Sequence, residues 1–289
     1  MNTTTSTYKS GFAVLVGRSN VGKSTLLNAL VGSKVAITTP KPQTTRFPIQ
    51  GIVSRPEGQV VFVDTPGVLK DTKDALANTL MANVKESLKD VDLILYVVDP
   101  TRSIGEEEKA ALRLIEHIEK PKILVINKID EKMPYRDYYL DMAANFSEVV
   151  EVSALRGTHA KTLIDRIFSY LPPGEAYYPE GQLTSLGNEV WTAELIREKL
   201  FLRLRQEIPY TIHVEVEAVE RRDNGVLYIK ANIFTTDERY KRIIIGAGGR
   251  GIKEIGQATR KELEMVMQVP IFLDLNVEVD PFWMNKFLK

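Results

Sequence analysis

The chain of 289 residues carries 38 Lys and Arg against 38 Asp and Glu, so its formal net charge is zero and bulk charge draws it toward neither nucleic acid nor membrane. At roughly 150 residues per domain its length points to about two domains, and 44% apolar with 26% charged residues is ordinary for a soluble globular protein. Cysteine is absent, which excludes disulfides, thiolate metal sites, cysteine nucleophiles and iron–sulfur clusters.

Met1 to Gly11 is rich in Thr and Ser and lacks the apolar core of a signal peptide, so residues 1–11 are expected to be a short disordered lead. No window approaches the run of about 18 apolar residues that a membrane span needs. A cytoplasmic protein is expected.

From Phe12 to Leu171 short apolar runs end abruptly at polar or Gly-containing turns: Phe12 to Val16, Val60 to Val63, Leu93 to Val98, Ile123 to Ile126 and Val149 to Val152. Between them lie stretches of helical spacing at Lys23 to Val31, Asn78 to Lys89, Glu106 to Glu119 and Thr158 to Tyr170. Near-continuous apolar strands alternating with helices predict an α/β domain over residues 12–171, a mostly parallel sheet with helices on both faces. In such a fold ligands bind beyond the carboxyl ends of the strands, so the residues after each run carry the information.

The first run ends in Gly17-Arg18-Ser19-Asn20-Val21-Gly22-Lys23-Ser24-Thr25 and leads straight into a helix, the context that a phosphate-binding P-loop requires. Glycines let backbone N–H groups curl round phosphate oxygens, and the helix N-terminus adds its positive dipole end. Lys23 supplies a cation for the β and γ phosphates, and Ser24 offers a hydroxyl to Mg²⁺. Kinases, ATPases and GTPases share this loop, so the later strand ends must decide between them.

Asp64-Thr65-Pro66-Gly67 closes the second run, where Asp64 can hold Mg²⁺ through water and the Gly67 N–H can meet a γ-phosphate. Upstream, Pro40-Lys41-Pro42-Gln43-Thr44-Thr45-Arg46 has the polar, proline-punctuated make-up of a loop that orders when a threonine hydroxyl reaches the metal. Asn127-Lys128-Ile129-Asp130 follows the fourth run. A carboxylate at Asp130 accepts from the N1–H and 2-amino group of guanine together, a donor pair that adenine lacks on that edge, while Asn127 bridges base and loop. A P-loop kinase is the weaker reading, because Asp130 has no task with adenine. Ser153-Ala154-Leu155, closing the fifth run, is expected to offer backbone N–H groups to the guanine O6.

This series, in order and at strand ends, resembles the Era family of two-domain GTPases, and the likeness runs from about Phe12 to Val279. The resemblance implies GTP hydrolysis with GTP or GDP and Mg²⁺ bound, with Thr45 as the metal ligand and Thr44 the alternative. Lys23, Thr45 and Gly67 are then the catalytic group, and Ser24, Thr45 and Asp64 the metal group. Val68 stands where Ras-like enzymes carry a water-orienting glutamine, so slow hydrolysis by the chain alone is expected. Relatives with asparagine at the place of Asn20 use K⁺ at the phosphates, which makes K⁺ a further candidate cofactor.

Residues 172–189 open with Pro172-Pro173-Gly174 and show no apolar periodicity, the make-up of a linker. Residues 190–289 then predict a helix (Thr192 to Gln206), two strands (Thr211 to Val219, Val226 to Phe234), a helix pair (Arg239 to Met267) and a last strand (Ile271 to Val279). Within the helix pair, Ile243 to Ile255 with Gly246-Ala247-Gly248-Gly249 resembles the G-x-x-G core of a KH RNA-binding module, and the α-β-β-α-α-β order matches its type II form. From 239 to 261 seven basic residues, Arg250 and Lys253 among them, face Glu254 alone. The turn lacks the lysine common in that family, and the segment Val279 to Asn285 departs from its basic C-terminal pattern. Trp283 has two readings, stacking on a base or packing the last strand.

The resemblance implies a monomer that binds single-stranded rRNA near the 3′ end of the small-subunit rRNA, and hence the small ribosomal subunit. The other reading is a regulatory GTPase whose C-terminal unit binds protein or attaches peripherally to a membrane.

Overall fold

The computed structural model describes residues 8–68, 75–205 and 208–284. The chain divides into two compact units, with the boundary between Ser185 and Leu186.

The first unit is built on six strands, β1 (Lys9–Val16), β2 (Ile49–Arg55), β3 (Gly58–Asp64), β4 (Leu93–Val98), β5 (Lys122–Ile126) and β6 (Glu148–Glu151). They lie in the order β2-β3-β1-β4-β5-β6. All neighbours run parallel except β2 and β3, which are antiparallel. Helices α1 (Lys23–Val31), α2 (Ala75–Ser87), α3 (Glu106–Ile115) and α4 (Arg136–Asp141) lie between successive strands, and α5 (Ala160–Tyr170) follows β6. Every residue of β3 and β4 is buried, as strands covered on both faces must be. Because β1 has β3 on one side and β4 on the other, the chain leaves β1 at the point where strand order reverses. A crevice opens there beyond the strand ends.

β2 is absent from the sequence reading because Gly51 interrupts its apolar run. That glycine lets the strand pass close to α1, since a Cβ at Gly51 would lie 2.6 Å from Leu27 Cδ1 and 2.8 Å from Val31 Cγ2. The disordered lead also ends sooner than expected. Lys9–Gly11 belongs to β1 and pairs with Gly58–Val60, a ladder that satisfies backbone groups whatever the side-chain polarity. Residues 1–7 of that lead lie outside the described residues.

The predicted linker is held down along much of its length. Gly174 N–H donates to Tyr8 O, and Ser10 N–H to Pro172 O. The wholly buried Gln59 side chain accepts from the N–H groups of Tyr177 and Tyr178 and donates to Tyr178 O. Further on, Ile52 N–H donates to Leu183 O, and Thr184 Oγ1 to Gln50 O.

The second unit runs α6 (Asn188–Arg203), β7 (Ile212–Arg221), β8 (Leu227–Thr235), α7 (Glu238–Ile245), α8 (Arg250–Met267) and β9 (Ile271–Val279). Its sheet has the order β7-β8-β9, antiparallel then parallel. Alternate residues of β8, Ile229, Ala231 and Ile233, are fully buried among side chains of α6, α7 and α8, and the residues between them face the other side of the sheet, partly exposed. Among the described residues no helix is long and apolar enough to cross a membrane.

Candidate functional site

The loop from Gly17 to Gly22 joins β1 to α1, and its last glycine has φ 96°, a conformation that suits only glycine without strain. Lys23 follows, nearly buried, its ammonium donating to Gly17 O at 3.0 Å and Arg18 O at 3.1 Å. Burial lowers its pKa from 10.5 to about 8, against the pull of Asp64 and Glu108. The loop thus bends round a desolvated cation whose hydrogen bonds among the described residues go to neutral carbonyls. Asn20 takes a positive φ of 65° within it, Val21 is fully buried, and Thr25 sits in the first turn of α1.

Three oxygen side chains from separate segments meet beside the loop. Ser24 Oγ donates to Asp64 Oδ2 at 2.6 Å and lies 3.1 Å from Thr45 Oγ1, which is itself 3.4 Å from the same carboxylate oxygen. Asp64 is fully buried and its Oδ1 has no hydrogen-bond partner among the described residues. Burial raises its pKa, while Lys23 and the two hydroxyls pull the other way. A buried carboxylate oxygen left without a donor, next to two hydroxyls and no nitrogen or sulfur ligand, fits a hard cation such as Mg²⁺. Thr45 is the threonine whose hydroxyl joins this group.

Gly67 presses on the loop from the end of β3. A Cβ there would lie 2.7 Å from Ser19 Cα and 2.9 Å from Ser19 N, and Val68 N–H donates to Gly17 O at 3.2 Å. Val68 is fully buried and apolar, so its side chain has no means of holding a water molecule.

Asn127 ties three loops together. Its Nδ2 donates to Val21 O at 2.8 Å, while its Oδ1 accepts from Lys128 N at 2.8 Å and from Ala154 N at 2.9 Å. Asp130 Oδ1 accepts from Ser153 Oγ at 2.6 Å, which aims the carboxylate. In the Ser153-Ala154-Leu155 turn, Ser153 N–H donates to Thr158 O and Ala154 N–H to Asn127 Oδ1, and among the described residues the Leu155 N–H has no backbone partner.

Residues that the sequence reading passed over support these loops. Lys128 Nζ lies 2.6 Å from Asp99 Oδ2. Burial acts against the Asp99 carboxylate, yet Lys128 and the Thr101 hydroxyl and N–H outweigh it and hold the pKa low. Arg18, almost fully buried, reaches Glu108 Oε2 at 3.0 Å and Ser103 O at 2.8 Å, and Glu108 accepts from the hydroxyls of Tyr96 and Tyr139. Asp99 stands directly after β4, where the strand-end rule points; Arg18 and Glu108 had no such signal.

In the second unit, Gly246 (φ 72°), Gly248 (φ 59°) and Gly249 (φ 77°) all take positive φ in the turn between α7 and α8. The helices cross so closely that a Cβ at Gly246 would lie 2.9 Å from Gly251 N. Ala247 and Gly248 form the exposed tip, Arg250 begins α8 and Lys253 follows one turn later. Along α8 a groove of about 330 Å³ runs between Lys253, Gly256 and Arg260 on one side and Phe272 and Leu275 of β9 on the other. Gly256 and Phe272 were not singled out in the sequence, whereas Arg260 belongs to the basic cluster of residues 239–261. Trp283 is 1% exposed, its ring stacked 5.4 Å from His213 and its Nε1 donating to Thr211 O, so it packs the domain and is not open to a base.

Phosphate loop, oxygen cluster and base-reading loops on an α/β sheet, followed by a G-x-x-G helix pair on a small mixed sheet, define a P-loop GTPase with a C-terminal KH domain. Residues 12–128 match the family described as 50S ribosome-binding GTPase, and residues 207–284 match the KH domain family. The chain is 43% identical to GTPase Era of Halothermothrix orenii over 284 residues, 96% of each chain. To GTPase Era of Caldanaerobacter subterraneus subsp. tengcongensis it is 44% identical, covering 96% of this chain and 94% of that one. A crystal structure of Era with MgGDPNP and nucleotides 1506–1542 of 16S ribosomal RNA superposes with TM-score 0.90 at 38% identity, covering 96% of this chain and 95% of that one. An Aquifex aeolicus Era variant bound to GDP·AlF4⁻ gives the same TM-score and identity, with 95% of each chain covered. The chain belongs to the Era family of GTPases.

Proposed function

We propose that the chain is a GTP-hydrolysing switch whose KH domain grips single-stranded RNA near the 3′ end of the small-subunit rRNA, and that it acts as a cytoplasmic monomer in assembly of that subunit. The observation that carries the switch is the meeting of Ser24, Thr45 and Asp64 around an unsatisfied buried carboxylate oxygen. Support for the RNA comes from the Era complex with 16S rRNA nucleotides, together with the groove lined by Lys253 and Arg260.

In this reading the backbone of Gly17 to Gly22 cradles the β-phosphate, and Lys23 exchanges its carbonyl partners for phosphate oxygens. Mg²⁺, when bound, would be held by the Ser24 and Thr45 hydroxyls and by Asp64, and it would supply positive charge to offset that of the phosphates. The Gly67 N–H faces the γ-phosphate. Asp130 reads the guanine N1–H and 2-amino group, and the Leu155 N–H is the donor left for O6. Water attacks the γ-phosphorus, the bond to the β–γ bridging oxygen breaks, and GDP and phosphate leave. Lys23 offsets the charge that gathers on the bridging oxygen, so that catalysis is electrostatic rather than by a side-chain base. With Val68 buried, the water must be placed by backbone or by a partner, which keeps the isolated enzyme slow. Loss of the γ-phosphate frees Thr45 and its loop, and that change gates RNA binding.

The test is binding of a short single-stranded RNA from that 3′ segment to the unaltered chain, to Gly249→Asp and to Gly249→Asn. Both substitutions carry the same strain at φ 77°, but only the aspartate sets a charge against a phosphate. A loss of about tenfold or more for Gly249→Asp beyond that for Gly249→Asn is expected; indifference to both overturns the claim that this turn grips RNA. Retention on liposomes that survives RNase treatment, with no RNA bound, supports the protein or membrane reading instead.

A further inference from the structure

The face of the second sheet opposite α6, α7 and α8 carries an aromatic strip that continues the groove. Phe272 lines the groove beside Arg260 and Lys253, yet it is 52% exposed, whereas its strand neighbour Ile271 is buried at 4%. Its register partner on β8 is Tyr228, whose ring lies 5.9 Å away and 24° from parallel. The exposed Arg222 spans both, its guanidinium carbon 4.4 Å from the Tyr228 centroid and 5.2 Å from that of Phe272. Such a strip gains little for folding, because more than half of the Phe272 surface stays in water. A cation over two side-by-side rings, at the open end of a basic groove, is instead the kind of surface on which unpaired bases stack.

The strip also has a visible end. Tyr228 Oη donates to Asp274 at 3.0 Å, and Glu217 pairs with Lys230 further across the sheet. Carboxylates there repel a phosphate backbone, so the favourable surface stops after Phe272, Arg222 and Tyr228 and has room for about one base. β9 leaves α8 by a short turn, and its first residues lie beside the last turns of that helix. Arg260 stands about 15 Å along α8 from Arg250 at 1.5 Å per residue, so the strip lies at the end of the groove remote from the G-x-x-G turn.

We propose that Phe272 and Arg222 form a stacking site for one unpaired base just beyond the groove, so that the RNA track continues round the β9 edge by one nucleotide. This rests on the RNA reading above and names a contact additional to the four or so nucleotides that a KH groove holds.

The test uses the full chain and nested oligonucleotides from the 16S rRNA 3′ segment, shortened singly from either end, each with 2-aminopurine at its terminal position. With the unaltered chain, one added nucleotide at one end tightens binding by about 5- to 150-fold, the range for a single base–aromatic stack, and its 2-aminopurine fluorescence is quenched. Phe272→Ala removes that step and the quenching while shorter oligonucleotides bind as before, and Phe272→Trp restores both. Arg222→Ala reduces the step. Equal binding of every length by Phe272→Ala and the unaltered chain overturns the site, as does a uniform loss at all lengths, which would mark damage to the groove. Failure of the unaltered chain to bind any length overturns the RNA reading itself.

Discussion

Replacement of Gly67 by alanine puts the contact between β3 and the phosphate loop to a quantitative test. The added Cβ would fall 2.7 Å from Ser19 Cα and 2.9 Å from Ser19 N, where ordinary contact begins at 3.4 Å, so the two segments must part by about 0.5–0.7 Å. Ser19 Oγ, at 2.5 Å, can turn away, but these two atoms are backbone and cannot swing aside. Parting of this size carries the Val68 N–H to Gly17 O bond, 3.2 Å long, past hydrogen-bonding range, at a cost of about 1 kcal/mol. Overpacking adds roughly 1–3 kcal/mol. For a domain of this size about 2–4 kcal/mol lowers the unfolding midpoint by roughly 4–16 °C. Because the displaced loop is the one that cradles phosphate, GTP affinity falls by about tenfold or more. Scanning calorimetry and nucleotide titration measure the two effects. Gly105→Ala is the control, since nothing lies within 4 Å of its Cβ position and its φ is −119°. A Gly67→Ala protein with unchanged melting and unchanged GTP binding would refute the close approach on which the loop geometry depends.

Asp130→Asn should weaken GTP by about 10²- to 10⁴-fold, the worth of two charge-assisted hydrogen bonds, and improve binding of xanthosine triphosphate, whose C2 carbonyl oxygen at that edge accepts from the amide; competition titration distinguishes the two. Lys23 gives a pH dependence of defined sign. Its pKa of about 8 in the empty site, lowered by burial, rises when phosphate replaces carbonyls, so nucleotide binding takes up a proton above pH 8 and affinity falls toward about tenfold per unit, as isothermal titration across pH 7–9.5 would register. The same group binds fewer protons folded than unfolded between pH 8 and 10.5, so its contribution to the stability of the nucleotide-free chain rises with pH through that window. GTP hydrolysis should run faster in potassium than in sodium buffer if Asn20 helps to hold K⁺ at the phosphates, and Asn20→Ala should abolish the difference; equal rates in the two salts remove potassium from the mechanism.

The loops that bear chemistry were legible because each follows a short apolar run and keeps a fixed residue order: Lys23, Ser24, Asp64, Asn127 and Asp130 stand at strand ends and meet in one crevice. What stayed hidden depends on partners far apart in the chain. β2 is broken by Gly51, whose purpose is visible only when α1 lies across it. Arg18 belongs to a variable position of the loop motif, and its pairing with Glu108 is set by packing of α3. Composition marked residues 172–189 as a linker, yet one buried side chain, Gln59, converts part of that segment into fixed structure through backbone N–H groups that no pattern reports. Trp283 carried two readings because an aromatic near a chain end has the same signature whether it meets a base or its own sheet; its contact with His213 decides between them.

The hydrogen bonds from Ile52 to Leu183 and from Thr184 to Gln50 give the outermost strand a cover made from the connecting peptide itself. An uncapped strand rim is a template on which a second molecule can add. Truncating the chain at Leu171 to isolate its enzymatic half would strip that sheath and leave a product prone to clumping, whereas a cut after Ser185 keeps it. The tether between the halves therefore also serves as a guard, and any force or protease that peels it away would bare a strand rim on which a second molecule can add.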